Sequence, residues 1–447
     1  MAKRYDVIIV GAGPAGLMAA RVAGENGLEV ALLEKKTDIP KLTRACLQTL
    51  DSANEYLHHD LYRCNARDKR LAFPAHGFSA KYDGPFKNLY AWHIYTPNGY
   101  KVQSGDLVQQ RKKGDYGKIT VVIDKEILLK SMLEEAKDYS VDVFPGINVR
   151  KVTSMADGVI VEGSGKSFAG SYVIAADGAN SGMAQMMGFN ENRYYYFSLH
   201  AISYYMSGVE PPDPDVVITT YGFLEEGAAL LFMAPLATEG EHNVMVISAD
   251  PRVDLKVAAD YFMKREYCAS WFRNAKKVRT LSAVCNAYSP IIEPYKDRVL
   301  LVGDVGSTQE LEITGAIISG WKAGQAIATA VQEENLGLEI TGISHYLDWW
   351  KEAYIDYYSH DSYLKSWALP YTLTTEEEID YVFGLIKEPF APAFNPYTMP
   401  HHLGQALKKV VPTIQKERPE LLQKLGTTKL PSSQIFAEVT KVSKPAP

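Results

Sequence analysis

Apolar positions along the chain fall into short unbroken runs separated by longer stretches of helical period. Tyr5–Val10 (YDVIIV) is a short, β-branched apolar run, as expected of a strand buried on both faces. Ala15–Asn26 has a helical period, and Gly27 is placed as its C-terminal stop. Glu29–Glu34 (EVALLE) reads as a second strand. Strand, helix and strand within about 30 residues predict a βαβ unit with parallel strands and a right-handed crossover. Lys36 to Asp68 is polar and mixed, and reads as a loop and a helix. Leu89–Gly105 predicts a hairpin turning at Asn98-Gly99. Asp124–Lys137 is helical in pattern. Asp142–Glu162 alternates as strands, with turns at Pro145-Gly146 and Asp157-Gly158, and Tyr172–Ala176 is a further buried strand.

The texture changes from Arg193 to Tyr288. Strand-like segments at Leu199–Met206, Val216–Tyr221, Ala228–Met233 and Asn243–Ser248 alternate with turn residues. They predict an antiparallel sheet inserted between parts of the nucleotide-binding unit. Arg298–Val302 returns as a central strand, and Thr314–Glu334 follows as a long helix. Residues 340–425 are mostly helical and aromatic. The Lys-, Pro- and Ser-rich end predicts disorder. The resulting division has a nucleotide-binding domain in three parts (1–72, 123–190 and 291–335). A substrate domain comprises 73–122 and 191–290. A helical region (336–425) and a disordered tail (426–447) complete it.

Composition narrows the function classes. Hydrophobic residues make up 46% of the 447 and charged residues 22%, ordinary values for a soluble globular chain. A net charge of -6 and the lack of a long basic stretch argue against a nucleic-acid partner. Cys46, Cys64, Cys268 and Cys285 form no C-x-x-C pair, and no His cluster has zinc-ligand spacing, so no metal site is expected. So few cysteines suit a reducing cytoplasm. The apolar run Val7–Ala20 is broken by glycines, unlike a signal peptide, and no uncharged apolar run reaches the roughly 18 residues of a membrane span. Peripheral contact with a membrane is left open.

Gly11-x-Gly13-x-x-Gly16 lies between the first strand and the first helix. Gly11 permits a tight turn, Gly13 lets backbone approach a pyrophosphate, and Gly16 allows close helix–strand packing. The following helix, from Ala15, offers N–H groups and a partial positive charge to the phosphates. Glu34 ends the second strand about 20 residues on, where a carboxylate accepts hydrogen bonds from a ribose, and Lys35 adjoins it. This motif alone does not separate FAD from NAD.

Two further motifs do. Tyr172–Gly182 reads YVIAADGANSG and Arg298–Gly306 reads RVLLVGDVG. With the glycine motif, in this order, they resemble the para-hydroxybenzoate hydroxylase superfamily of flavoproteins, which also contains the geranylgeranyl reductases. The resemblance runs from Tyr5 to about Glu334 and implies FAD. The fold class it implies is α/β: a Rossmann-type FAD-binding domain with an inserted antiparallel-sheet substrate domain and a helical C-terminal region. The resemblance assigns Asp304, after Gly303, to a ribityl hydroxyl. It sets Gly315 and Ala316, opening the next helix, beside the flavin N1–C2=O edge. Asp177 is divided between a cofactor role and a turn. Arg44 and Ala45 fall where the superfamily often has an arginine near FAD, and Lys125 stands where many relatives carry arginine.

The chemistry is read from departures. Cys46 matches a cysteine that geranylgeranyl reductases commonly place near the flavin. It is the catalytic candidate, as a proton source or pocket wall, against the alternative of a small buried residue. After Asp304 the hydroxylases' histidine is replaced by Ser307 and their proline is missing. Glu310 and Glu312 read as solvent-facing, with proton transfer at the flavin as the alternative. Ala229–Pro235 keeps Phe232 and Pro235 of the reductases' aromatic stretch and loses its Tyr and Trp. The reading is an FAD-dependent reductase or dehydrogenase moving a hydride between flavin N5 and a carbon–carbon bond of an apolar or aromatic small molecule. An aromatic monooxygenase using NAD(P)H and oxygen is one rival, and a non-catalytic electron-transfer flavoprotein another. A second GxGxxG unit is missing, so electrons come from transient NAD(P)H, a redox protein or the substrate itself.

Overall fold

The computed structural model describes residues 3–51, 53–306, 312–356, 361, 364–365, 368–395 and 397–443. Ser307 and Glu310 lie outside them.

Two large sheets organise the chain. The first has the strand order Val141–Pro145, Val30–Glu34, Arg4–Val10, Lys166–Ala175, Gly158–Gly163 and Val149–Met155, with Val299–Leu301 pairing beside Lys166–Ala175. Its central pairings are parallel, and their residues form near-continuous apolar runs, as burial on both faces requires. The helix Pro14–Glu25 joins the first two strands. The long helix Glu312–Asn335 packs across it, and the small residues make that possible. A Cβ at Gly320 would meet the Ala15 carbonyl oxygen at 2.2 Å, and one at Gly324 would meet Val22 at 2.7 Å.

The second sheet runs Lys276–Tyr288, Tyr195–Ser207, Glu241–Ser248, Ala228–Pro235, Val216–Phe223, Ala91–Tyr95 and Lys101–Ser104. It is antiparallel except where Val216–Phe223 pairs in parallel with Ala91–Tyr95. The period of two sorts its side chains. Leu231 and Met233 pack on one face with Phe262 of the helix Leu255–Met263. Leu230 joins a core on the opposite face with Ile379, Val382 and Phe383 of the helix Glu376–Gly384, and Phe232 packs against it.

Two expectations need correction. Lys36 to Asp68 contains no helix among the described residues; Thr49–Leu50 and Arg63–Asn65 are short strands. The tail expected to be disordered is helical at Ser432–Ile435 and Ala437–Ser443. Its Phe436 is fully buried, with its ring 5.0 Å from that of Phe197. One aromatic anchor outweighs a polar composition.

Candidate active site

The glycine turn is fixed by contact. Gly11 has φ +106°, and a Cβ there would lie 2.3 Å from the Ala176 carbonyl oxygen. A Cβ at Gly16 would lie 1.9 Å from the carbonyl oxygen of Gly11. Gly13 caps the helix Pro14–Glu25 without a side-chain hydrogen bond, and the space where its Cβ would point is open. Among the described residues no side chain caps the first-turn N–H groups, and the positive end of the helix faces that space. Buried Glu34 accepts from the Ala12 N–H at 2.8 Å and from the Lys36 N–H at 2.9 Å. A hydrogen-bonded carboxylate beside an uncapped helix N-terminus and a side-chain-free turn fits the adenosine and pyrophosphate half of FAD.

A cavity of about 720 Å³ opens from this turn and reaches the inner face of the second sheet. On the nucleotide side it is lined by Gly11, Gly13, Glu34, Lys35, Asp304 and Ala316. On the sheet side Trp92, Tyr221, Phe232 and Phe394 make an apolar wall. Trp92 stands between Phe394 (rings 5.4 Å apart) and Phe232 (6.1 Å), and its Nε1–H donates to Thr219 Oγ1 at 2.5 Å. Trp92 thus brings a tryptophan beside Phe232, although Ala229–Pro235 itself contains none. Tyr204 packs on the opposite face of the sheet, Tyr194 is exposed, and Tyr205 is tied to Gln48, so these tyrosines do not line the cavity.

Between the two walls runs Arg44–Asp51, pinned at several points. Arg44 Nη2 donates to the Val284 carbonyl at 2.7 Å and approaches Cys285 Sγ at 3.3 Å. Asn243 Nδ2 donates to the Cys46 carbonyl at 2.8 Å. Gln48, at φ +61°, donates to the Tyr205 hydroxyl at 3.0 Å and accepts from the Lys125 N–H at 2.8 Å. Cys46 lines the cavity, with the Lys125 ammonium 3.6 Å from its sulfur. Asp51 and Glu312 line it too and hydrogen-bond to each other. Burial pushes both carboxyls upward; the charge of Asp51 adds to the rise at Glu312, while the hydrogen bond from Glu312 acts against the rise at Asp51.

The structure brings Cys46, Gly11, Gly13, Glu34, Lys35, Arg44, Ala45, Asp177, Asp304 and Ala316 to one cavity. Ala15, Gly16, Gly303 and Gly315 stand behind its wall as packing positions: a Cβ at Gly303 would lie 3.2 Å from that of Ala15, and Gly315 is buried within the long helix. That helix starts at Glu312, so Gly315 lies inside its first turn. The Asp177 carboxylate is committed locally: it accepts from Ser181 Oγ at 2.6 Å and from the Met183 N–H at 3.1 Å, bracing the helix Gly182–Met186. Glu312 is the clear correction, since it faces the cavity rather than bulk solvent. Asp51 gave no signal in sequence, because its partner lies far along the chain.

Parallel-sheet fold, uncapped helix end and long apolar cavity together define a flavin-dependent oxidoreductase. Residues 4–305 match the FAD binding domain family, and the chain belongs to it. FAD is its cofactor. The chain is 25% identical over 433 residues to the digeranylgeranylglycerophospholipid reductase of Methanocaldococcus jannaschii, covering 94% of this chain and 97% of the relative. It is 25% identical over 368 residues to the enzyme of the same name from Methanococcus vannielii, covering 80% and 85%. Among solved structures, a geranylgeranyl bacteriochlorophyll reductase-like protein from Thermoplasma acidophilum superposes with a TM-score of 0.66 at 20% identity, covering 95% of this chain and 99% of that one. The p-nitrophenol 4-monooxygenase of Pseudomonas putida shares the fold at a TM-score of 0.55 and 16% identity, covering 93% and 98%. No helix among the described residues is long and apolar enough to cross a membrane.

Proposed function

We propose that the protein is an FAD-dependent reductase that saturates a carbon–carbon double bond of an apolar, isoprenoid-type chain. The observation that carries this reading is the aromatic wall of Trp92, Tyr221, Phe232 and Phe394, continuous in one cavity with the glycine turn. Alignment along nearly the whole chain to reductases of geranylgeranyl lipids supports it.

In this reading Gly11, Gly13 and the first turn from Ala15 hold the pyrophosphate, Glu34 the ribose and Asp304 the ribityl chain. Lys35, Arg44 and Ala45 would border the cofactor, and Ala316, at the cavity wall with Gly315 packed behind it, would face the flavin. The bound flavin supplies the hydride. The chain's own residues orient the substrate, exclude water and provide the proton. Cys46 faces the substrate, with Lys125 beside it. In this reading reducing equivalents reach the flavin from transiently bound NAD(P)H or from a redox protein.

The test is photoreduction of the holoenzyme without oxygen, followed by rapid mixing with aerated buffer. Sluggish reoxidation without an oxygenated product is expected. Fast reoxidation coupled to hydroxylation of a phenolic ligand overturns the reading in favour of a monooxygenase.

A further inference from the structure

Two carboxyl groups meet inside the cavity, one from the loop after Cys46 and one from the start of the long helix. Asp51 is 2% exposed and lines the cavity, and its Oδ2 has no hydrogen-bond partner among the described residues. Glu312 opens the helix Glu312–Asn335 at φ +45°, an unusual backbone angle for a glutamate, and lines the same cavity. The two side chains hydrogen-bond to each other.

That bond has a chemical consequence. An ionised carboxylate only accepts hydrogen bonds, so two carboxyls bonded to each other hold a proton between them. The surroundings favour this state. Cys46 and Asp304 also push the Glu312 carboxyl upward, and neither is a cation. Lys125 points its ammonium at Cys46, and neither Asp51 nor Glu312 forms an ion pair among the described residues. Burial without a counter-charge penalises the doubly ionised form.

We propose that Asp51 and Glu312 share one proton at the cavity wall, and that this pair is the proton donor for the reaction carried out there. The donor half rests on the reductase reading given above. Saturating a double bond breaks one π bond and forms two C–H bonds. With FAD bound, the hydride and its two electrons would come from the reduced cofactor, and the substrate would be reduced by those two electrons. The proton passes from the pair to the other carbon, leaving both carboxylates ionised until water entering the cavity returns a proton. The proton and the hydride then come from different sources.

Infrared spectroscopy of the holoenzyme tests the shared proton without turnover. A carbonyl band of a protonated carboxyl is expected at pH 7, lost on Glu312→Gln and on Asp51→Asn. Its absence from the wild type overturns the proposal. Single-turnover reoxidation of the photoreduced holoenzyme by a geranylgeranyl-chain phospholipid, without oxygen, tests the donor role. Glu312→Gln is expected to slow it by on the order of 10²-fold or more, the usual worth of a positioned general acid. Glu312→Asp is expected to keep the band and part of the rate. Flavin content and melting temperature of each variant report its folding. A band that vanishes in Glu312→Gln while the rate is unchanged overturns the donor role. If the wild type fails to reduce the lipid, the reductase reading falls and the donor role with it, while the band still decides the shared proton.

Discussion

A methyl group at residue 16 would sit 1.9 Å from the Gly11 carbonyl oxygen, far inside the closest approach of a non-bonded carbon and oxygen. Gly16→Ala therefore pushes the first helix away from the turn. The expected cost is about 1–3 kcal/mol, and flavin retention falls with it. The flavin-to-protein absorbance ratio and the melting temperature check both. Histidines set the acid limit. His93 and His242 are buried, and burial pushes each down to about 4. An unfolded histidine, at its ordinary 6.5, takes up a proton that the folded one refuses. Stability is thus present above pH 6.5 and lost as pH falls toward 4, by roughly 2 kcal/mol per histidine at pH 5. Urea titrations at pH 7 and pH 5 measure the loss, and His242→Gln is expected to reduce it. The glycine motif and Glu34 were legible in sequence because turn, helix end and strand end are neighbours along the chain. Asp51 was not, since its meaning comes from Glu312.

Elements carry the site through their ends. Asp124 caps the helix Lys125–Lys137, accepting from the Ile127 N–H at 3.0 Å. The first residue of that helix places its ammonium beside Cys46. Glu126 in the same turn accepts from the Leu42 N–H at 2.7 Å and from Arg279 at 2.9 Å, tying the loop before Cys46 to the second sheet. Asp124→Ala is expected to cost about 1 kcal/mol and to change the alkylation rate of Cys46 by releasing Lys125. Denaturant melts and thiol-labelling kinetics read the two effects. Periodicity found most strands and helices, because each buries a face of regular spacing. It failed from Lys36 to Asp68, where Gln48 and Tyr62 bond to distant or local backbone and side chains without repeating a period. The parallel pairing of Ala91–Tyr95 with Val216–Phe223 is a choice between distant strands that no local pattern encodes.

At the scale of the molecule, two sheets and a helical cover enclose one cavity. The cover contributes Phe394 and Met399 to its wall, so the aromatic C-terminal region is part of the site as well as packing. Phe394→Ala is expected to weaken binding of an apolar chain by roughly ten- to hundredfold, from about 1.5–3 kcal/mol of lost burial, while leaving the flavin bound. Titration of the holoenzyme with a geranylgeranyl lipid measures the first, and flavin absorbance the second. The measurement that bears most directly on the account is a mass spectrum of that lipid after anaerobic mixing with the photoreduced holoenzyme. The account predicts a gain of two hydrogens for each double bond saturated, matched by flavin reoxidation. A lipid of unchanged mass beside flavin that stays reduced, or an oxygenated product once air is admitted, would contradict it.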